Sequence, residues 1–146
     1  MSDFDLRTFL PYLLNQAAEE TSLRFSDVYR DRYGMLRTEW RVLFHLGRYG
    51  DMTATGIARL SRMHKTKISR AVAALVSKRF VARGEDPGDR RRETLTLLAP
   101  GRAAYDDLIG VAELENGRLL AGFSTGERAV LIDCLSRLAR FETLPD

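Results

Sequence analysis

The chain is poor in the residues that most often do covalent or metal chemistry. Its 146 residues include one cysteine, Cys134, and two histidines, His45 and His64. A lone cysteine excludes an intramolecular disulfide and any multi-cysteine metal site, and it fits a reducing cytoplasm. There is no glycine-rich phosphate loop, no cluster of metal ligands and no nucleophile beside a base. An enzyme is therefore not expected, and neither is a metal or cofactor. Long apolar runs are missing too. The uncharged stretch Thr8 to Ala18 falls well short of the about 20 residues that cross a bilayer. It follows Asp3 and Asp5 rather than a basic segment, unlike a secretory signal. The expectation is one cytoplasmic domain over 1–146 with no membrane partner, no internal repeat and no low-complexity segment.

Charge of one sign is also scarce overall, with a net charge of only +3. Its distribution is uneven. Arg59 to Arg92 holds 11 Lys/Arg against 3 Asp/Glu, whereas the remainder holds 12 basic and 17 acidic residues. A cationic third on an acidic support is the electrostatic footprint of a nucleic-acid binder.

Apolar spacing gives mostly helices. Leu10, Leu13, Leu14, Ala17, Ala18, Phe25 and Val28 mark a long first helix, about Pro11 to Arg32, ended by Tyr33-Gly34. Thr38 is a fair N-cap for a second helix carrying Trp40, Leu43, Phe44 and Leu46, and Gly50-Asp51 breaks it. Thr53 can cap a short third helix with Ile57, Ala58 and Leu60, and Ser61-Arg62-Met63 is a tight connection. The fourth helix runs from about His64 to Lys78. Ile68, Val72 and Leu75 share its buried face, and Lys65, Thr66, Lys67, Ser69 and Arg70 crowd its first two turns on other faces.

A hairpin follows. Phe80 to Arg83 and Thr94 to Leu97 read as strands, and Pro87-Gly88 between them suits a type II turn. Arg90, Arg91 and Arg92 sit at its tip, where guanidinium groups can reach a polyanion. Pro100-Gly101 opens a long fifth helix, roughly 100–121, closed by Gly122. Ser124 and Glu127 form a capping box for a last helix, about 124–141. The fold class is mainly α with a small β-hairpin wing, and the wing completes a winged helix-turn-helix lobe flanked by long helices.

These elements, in this order, resemble the MarR family of bacterial transcription regulators over nearly the whole chain. Asp86-Pro87-Gly88-Asp89-Arg90-Arg91 is similar to the family's wing signature. Trp40-Arg41-Val42-Leu43 resembles its second-helix core motif, and Lys65 to Arg70 the start of its recognition helix. The resemblance implies a homodimer. Segments 10–35 and 100–146 would supply dimerisation helices, and 38–98 the DNA-binding lobe. It also implies that Asp89 pairs with Arg91 to brace the wing while a wing arginine enters the minor groove. Two residues depart from the pattern. Arg79 stands where the family has Gly, so that corner is expected to turn differently. Leu98 stands where a Thr caps the fifth helix, with Pro100 as partial compensation.

On double-stranded DNA, Arg70 suits a bidentate base contact in the major groove. Lys65, Thr66, Lys67 and Ser69 border it, against either bases or phosphates. Thr53 and Thr55 are phosphate candidates at a helix start. Arg90 and Arg91 are minor-groove candidates, favoured where A·T runs narrow the groove. Such a dimer would read a pseudo-palindrome, most simply as a repressor released by a small, aromatic effector. By the resemblance the effector cleft would involve Tyr12, Asn15, Trp40, Arg41 and His45, although Trp40 also fits plain core and His45 an ordinary helix residue. Two other readings stay open: a winged-helix module that binds protein, and a redox-responsive regulator using Cys134. Asp133 and the neighbouring leucines favour an inert, buried thiol instead.

Overall fold

A computed structural model describes residues 3–86 and 88–141. A short 3-10 turn, Leu6–Thr8, precedes six α-helices: α1 Leu10–Tyr33, α2 Arg37–Tyr49, α3 Ala54–Ser61, α4 Lys65–Ser77, α5 Ala99–Leu120 and α6 Thr125–Ala139. Three strands, β1 Met52–Thr53, β2 Val81–Asp86 and β3 Asp89–Leu97, form an antiparallel sheet in the order β1-β3-β2. Among the described residues, no helix is long and apolar enough to cross a membrane.

Local chemistry sets most boundaries. Gly34 ends α1 at φ +64, a left-handed cap that glycine adopts without a Cβ penalty. Thr53 Oγ1 accepts the Gly56 N–H at 3.0 Å and starts α3. Ser124 and Glu127 form both bonds of the expected capping box. Leu98 starts α5 without a side-chain cap, with Pro100 in the first turn.

Several expectations need correction. The N-cap of α2 is Leu36, not Thr38, which lies inside the first turn. Leucine has no acceptor to offer, and Glu39 supplies half of a capping box by accepting the Leu36 N–H at 3.2 Å. Helix α5 closes on Ala121 in right-handed geometry, so Gly122 is not its cap. Both hairpin strands run longer than their β-prone cores, because the ladder continues through the charged residues of the wing. Strand β1 was not anticipated: two residues carry no periodicity, and pairing with Leu95 and Thr94 creates it. The expected type II turn involves Pro87, which lies outside the described residues, as do 142–146 of the expected dimerisation segment.

The Arg79 corner does not turn differently. Arg79 takes the left-handed conformation at φ +61. The Phe80 N–H reaches Leu75 O at 2.9 Å and the Arg79 N–H reaches Val76 O at 3.0 Å. That is a Schellman motif, and its two bonds offset a left-handed cost of about 1–2 kcal/mol for a residue with a Cβ.

The core lies in the 38–98 lobe. Val42, Leu43 and Leu46 of α2, Ile57 of α3, Ile68, Val72 and Leu75 of α4, and Val81 and Leu95 of the sheet are all buried. Ala104 and Leu108 join α5 to it. The chain returns from the wing so closely that a Cβ on Gly101 would lie 2.1 Å from the Phe80 carbonyl oxygen, which also accepts the Leu98 N–H. Helices α1 and α6 are built differently. Helix α1 buries only Tyr29, and α6 buries no residue.

Candidate nucleic-acid interface

Helix α4 presents one face inward and the rest outward. Ile68, Ala71, Val72 and Leu75 are buried, while Lys65, Thr66, Lys67, Ser69 and Arg70 are exposed. The helix begins at His64, whose Nδ1 accepts the Thr66 N–H at 3.2 Å. Its first turn carries no acidic residue, so the partial positive charge of the free amides adds to the lysines. The turn before it is tight because Arg62 takes φ +58. Thr55 is exposed on α3. Thr53 is half-buried, with its oxygen engaged as the cap but its hydroxyl proton still free to donate.

The wing projects from β2 and β3. Asp86 Oδ1 accepts the Gly88 N–H at 3.0 Å, and Asp89 Oδ1 accepts the Arg91 N–H at 2.9 Å. The Asp89 contact therefore runs to the Arg91 backbone and leaves its guanidinium outside the bond. Arg83 pairs with Glu93 across the strands at 3.3 Å. Arg90, Arg91 and Arg92 are exposed at the tip.

Ion pairing is uneven over the molecule. On the long helices and the elbow between α1 and α2, Arg24, Arg30, Arg32, Arg37, Arg118 and Arg137 each have a carboxylate partner. Among the described residues, Lys65, Lys67, Arg70, Arg90, Arg91 and Arg92 have none. Six cations kept free of their own carboxylates are available to a polyanion from outside.

The five residues expected around an effector cleft are dispersed. Tyr12 and Asn15 are exposed on the first half of α1. Trp40 belongs to an aromatic cluster, 4.9 Å from Phe25 and 6.2 Å from Tyr29 between ring centroids. Arg41 and His45 are joined: His45 Nδ1 donates to Arg41 O at 2.6 Å, and the Arg41 guanidinium donates to Ser61 O at 2.8 Å. Burial, above the other causes, lowers the His45 imidazole from its usual range and so disfavours its charged form. Cys134 is half-buried rather than buried, since α6 is largely uncovered, and it accepts a weak bond from Arg137 at 3.5 Å.

Three contacts at the edges of the reading lobe escape sequence inspection. Lys78, at the end of α4, pairs with Glu39 at 3.1 Å. Arg62 in the helix-turn-helix turn donates to Ala139 O near the end of α6 at 2.7 Å. Asp107 on α5 accepts from Tyr33 Oη at 2.5 Å and from Arg32 at 3.0 Å, which fastens α1 to α5. The first two span 39 and 77 positions. No local pattern signals them.

Known proteins share this arrangement. The MarR family profile matches residues 33–92, the stretch holding α2, the helix-turn-helix and most of the wing. A Bacillus subtilis (strain 168) HTH-type transcriptional regulator, YwaE, is 23% identical over 126 residues, covering 86% of this chain and 74% of that protein. The Bordetella bronchiseptica protein BpsR, solved in a study of how 6-hydroxynicotinic acid regulates its DNA binding, shares the fold. Its TM-score is 0.83 at 20% identity, over 94% of this chain and 98% of that one. A MarR family transcriptional regulator from Silicibacter pomeroyi DSS-3 is 31% identical, with a TM-score of 0.73, over 91% of this chain and 99% of its own. A basic helix after a tight turn, an arginine-tipped wing and a relative matched along its whole length agree: this chain belongs to the MarR family of DNA-binding transcription regulators.

Proposed function

We propose that the chain is a repressor that binds a pseudo-palindromic operator as a homodimer and is released by a small molecule. The carrying observation is the set of six unpartnered cations on α4 and the wing. Arg70 reads a base edge in the major groove, with Lys65, Thr66, Lys67 and Ser69 along the same groove. Thr53 and Thr55 hold phosphates at the start of α3. Arg90 and Arg91 enter the minor groove, and Asp89 fixes the wing backbone beneath them.

The dimer reading draws on uncovered apolar surface. Val130, Ile132, Leu135, Leu138 and Phe141 of the last helix and its end are exposed, as are Leu10, Leu13 and Leu14 of α1. Leu14, Ile132, Leu135, Leu138 and Phe141 line one groove. Patches of this kind mark interaction surfaces, and a second copy of α1, α5 and α6 would cover this one. Recognition helices of such dimers enter DNA about 34 Å apart. Small-molecule release is supported by BpsR, a protein of the same fold.

The test is fluorescence anisotropy on the gene's own upstream DNA and on scrambled DNA, across a salt series. Tight binding to the native fragment is expected. An Arg90→Ala/Arg91→Ala variant should lower the salt slope by about 4, two for each wing of the dimer. Equal, weak binding to both fragments would instead favour a protein-binding winged helix.

A further inference from the structure

The wing sorts its charges by side. Side chains alternate along a strand, so residues two apart share one side of the hairpin. Val81 and Leu95 are buried, and they mark the inner side, which packs on the lobe. In the register Val81 stands across from Leu97, Arg83 from Leu95 and Glu85 from Glu93. The inner side therefore carries Arg83, Glu85, Asp89, Arg91 and Glu93. The outer side carries Gly84, Arg90, Arg92 and Thr94, with Gly84 across from Thr94. Asp86 lies beyond the register shift and turns Oδ1 to the Gly88 N–H at the tip.

The two sides offer a polyanion different surfaces. On the inner side Asp89 is engaged by the Arg91 N–H, and Arg83 pairs with Glu93 at 3.3 Å. Glu85 stands directly across from Glu93, and like charges so placed weaken a ladder. The outer side holds two exposed arginines and, among the described residues of the two strands, no carboxylate. Arg90 and Arg92 stand about 6.7 Å apart along β3. Gly84 is an independent observation. A glycine inside a strand weakens it and marks a bulge, a bend or a close approach. The register shift comes only after Glu85. Gly84 has no positive φ, and a Cβ there would meet nothing nearer than Thr94 O at 3.8 Å. The fold itself thus has room for a side chain at 84. Its absence leaves the outer side flat, diagonally beside Arg92, where another backbone can come close.

We propose that the wing lies against DNA by its outer side, with Arg92 on a phosphate of the minor-groove wall that faces away from the lobe. The inference rests on the reading of the wing tip as a minor-groove element and adds a backbone contact to it. A minor groove has a phosphate wall on either side of an inserted tip. Glu85 and Glu93 make the inner side a poor neighbour for the near wall, whereas Arg90 and Arg92 draw the outer side toward the far one. The distribution of charge between the two sides thereby sets the roll of the hairpin about its own axis. Arg92 is a positioning residue in this scheme: a phosphate contact fixes register and orientation and carries no base information.

Fluorescence anisotropy on a scrambled duplex across a salt series tests this, since a phosphate contact does not depend on sequence. Arg92→Gln should lower the salt slope by about 1 for each wing bound, hence by about 2 for a dimer. The same loss is expected on the gene's own upstream DNA. Arg92→Lys keeps the charge and should restore the slope. Gly84→Glu gives Arg92 a carboxylate neighbour on the outer side and should act like Arg92→Gln. Arg92 makes no ion pair among the described residues, so Arg92→Gln should melt with the parent protein. The proposal is overturned if Arg92→Gln leaves the slope where it was, or lowers it no more than Arg48→Gln, which removes an exposed cation from the last turn of α2. If Arg90→Ala/Arg91→Ala also leaves the slope unmoved, the wing is off the DNA and both readings fall. If only Arg92→Gln does so, this one alone falls.

Discussion

Lys78 Nζ lies 3.1 Å from Glu39 Oε1, which ties the end of α4 to the start of α2 through a carboxylate whose side chain is 5% exposed. The other Glu39 oxygen holds the Leu36 N–H. Glu39→Ala strands both partners and should cost about 2–3 kcal/mol. Glu39→Gln keeps an acceptor for Leu36 and loses only the charge pair, so it should cost about half as much. Urea unfolding checks this order. Equal losses would mean that the cap contributes nothing.

Arg79 sits at φ +61 inside a Schellman turn that would form equally with glycine. Arg79→Gly should therefore raise stability, by about 1 kcal/mol, as relief of the left-handed penalty exceeds the added freedom of the unfolded chain. A higher Tm in calorimetry is the expected result. A lower one would show that the Arg79 side chain makes a contribution of its own.

Tyr33 and Asp107 share a proton donor and its acceptor across α1 and α5. Burial, and then the bond to Asp107, push the Tyr33 phenol up to about 12 from an ordinary value of 10.0. A phenol whose folded value is raised stabilises the fold fully below pH 10 and loses that contribution as pH rises toward 12. Asp107 is shifted the other way, chiefly by the Tyr33 hydroxyl and then by Arg32. Its contribution is present above the normal carboxylate range and fades as pH falls through the lowered value. Tyr33→Phe should flatten the stability curve between pH 10 and 12 relative to the parent, as followed by denaturant midpoints.

Leu135 and Leu138 stand on the uncovered face of α6. Replacing both with Asp removes apolar area that a partner copy would bury and places charge in its path. Sedimentation should then show a monomer with native helicity and much weaker operator binding. A variant that remains dimeric would move the interface away from α6.

Much of this architecture is local and could be read from the chain. The stripe of Ile68, Val72 and Leu75, the Thr53 cap and the Ser124–Glu127 box each depend on residues within two turns, and the structure contains all three. The exposed polar residues of α4 followed from the same stripe. The start of α2 was misread because its cap, Leu36, has no capping oxygen and its capping bond comes from Glu39, three residues inside the helix. At Arg79, steric reasoning gave the right penalty but the wrong outcome, since the two closing bonds outweigh it. Strand β1 and the Glu39–Lys78 pair depend on segments far apart in sequence, which periodicity does not join.

Arg62 reaches the last turn of α6 through Ala139 O, a backbone atom common to every residue type. The bond asks nothing of the side chain at position 139 and much of the arginine and of the place where the helix stops. Sequence drift along α6 can therefore change its uncovered apolar face while the helix-turn-helix keeps its anchorage. A single inserted residue before Ala139 would rotate that carbonyl by about 100° around the helix axis and cast the lobe loose. Descendants of this chain are free to change the composition of their final helix far more readily than its length.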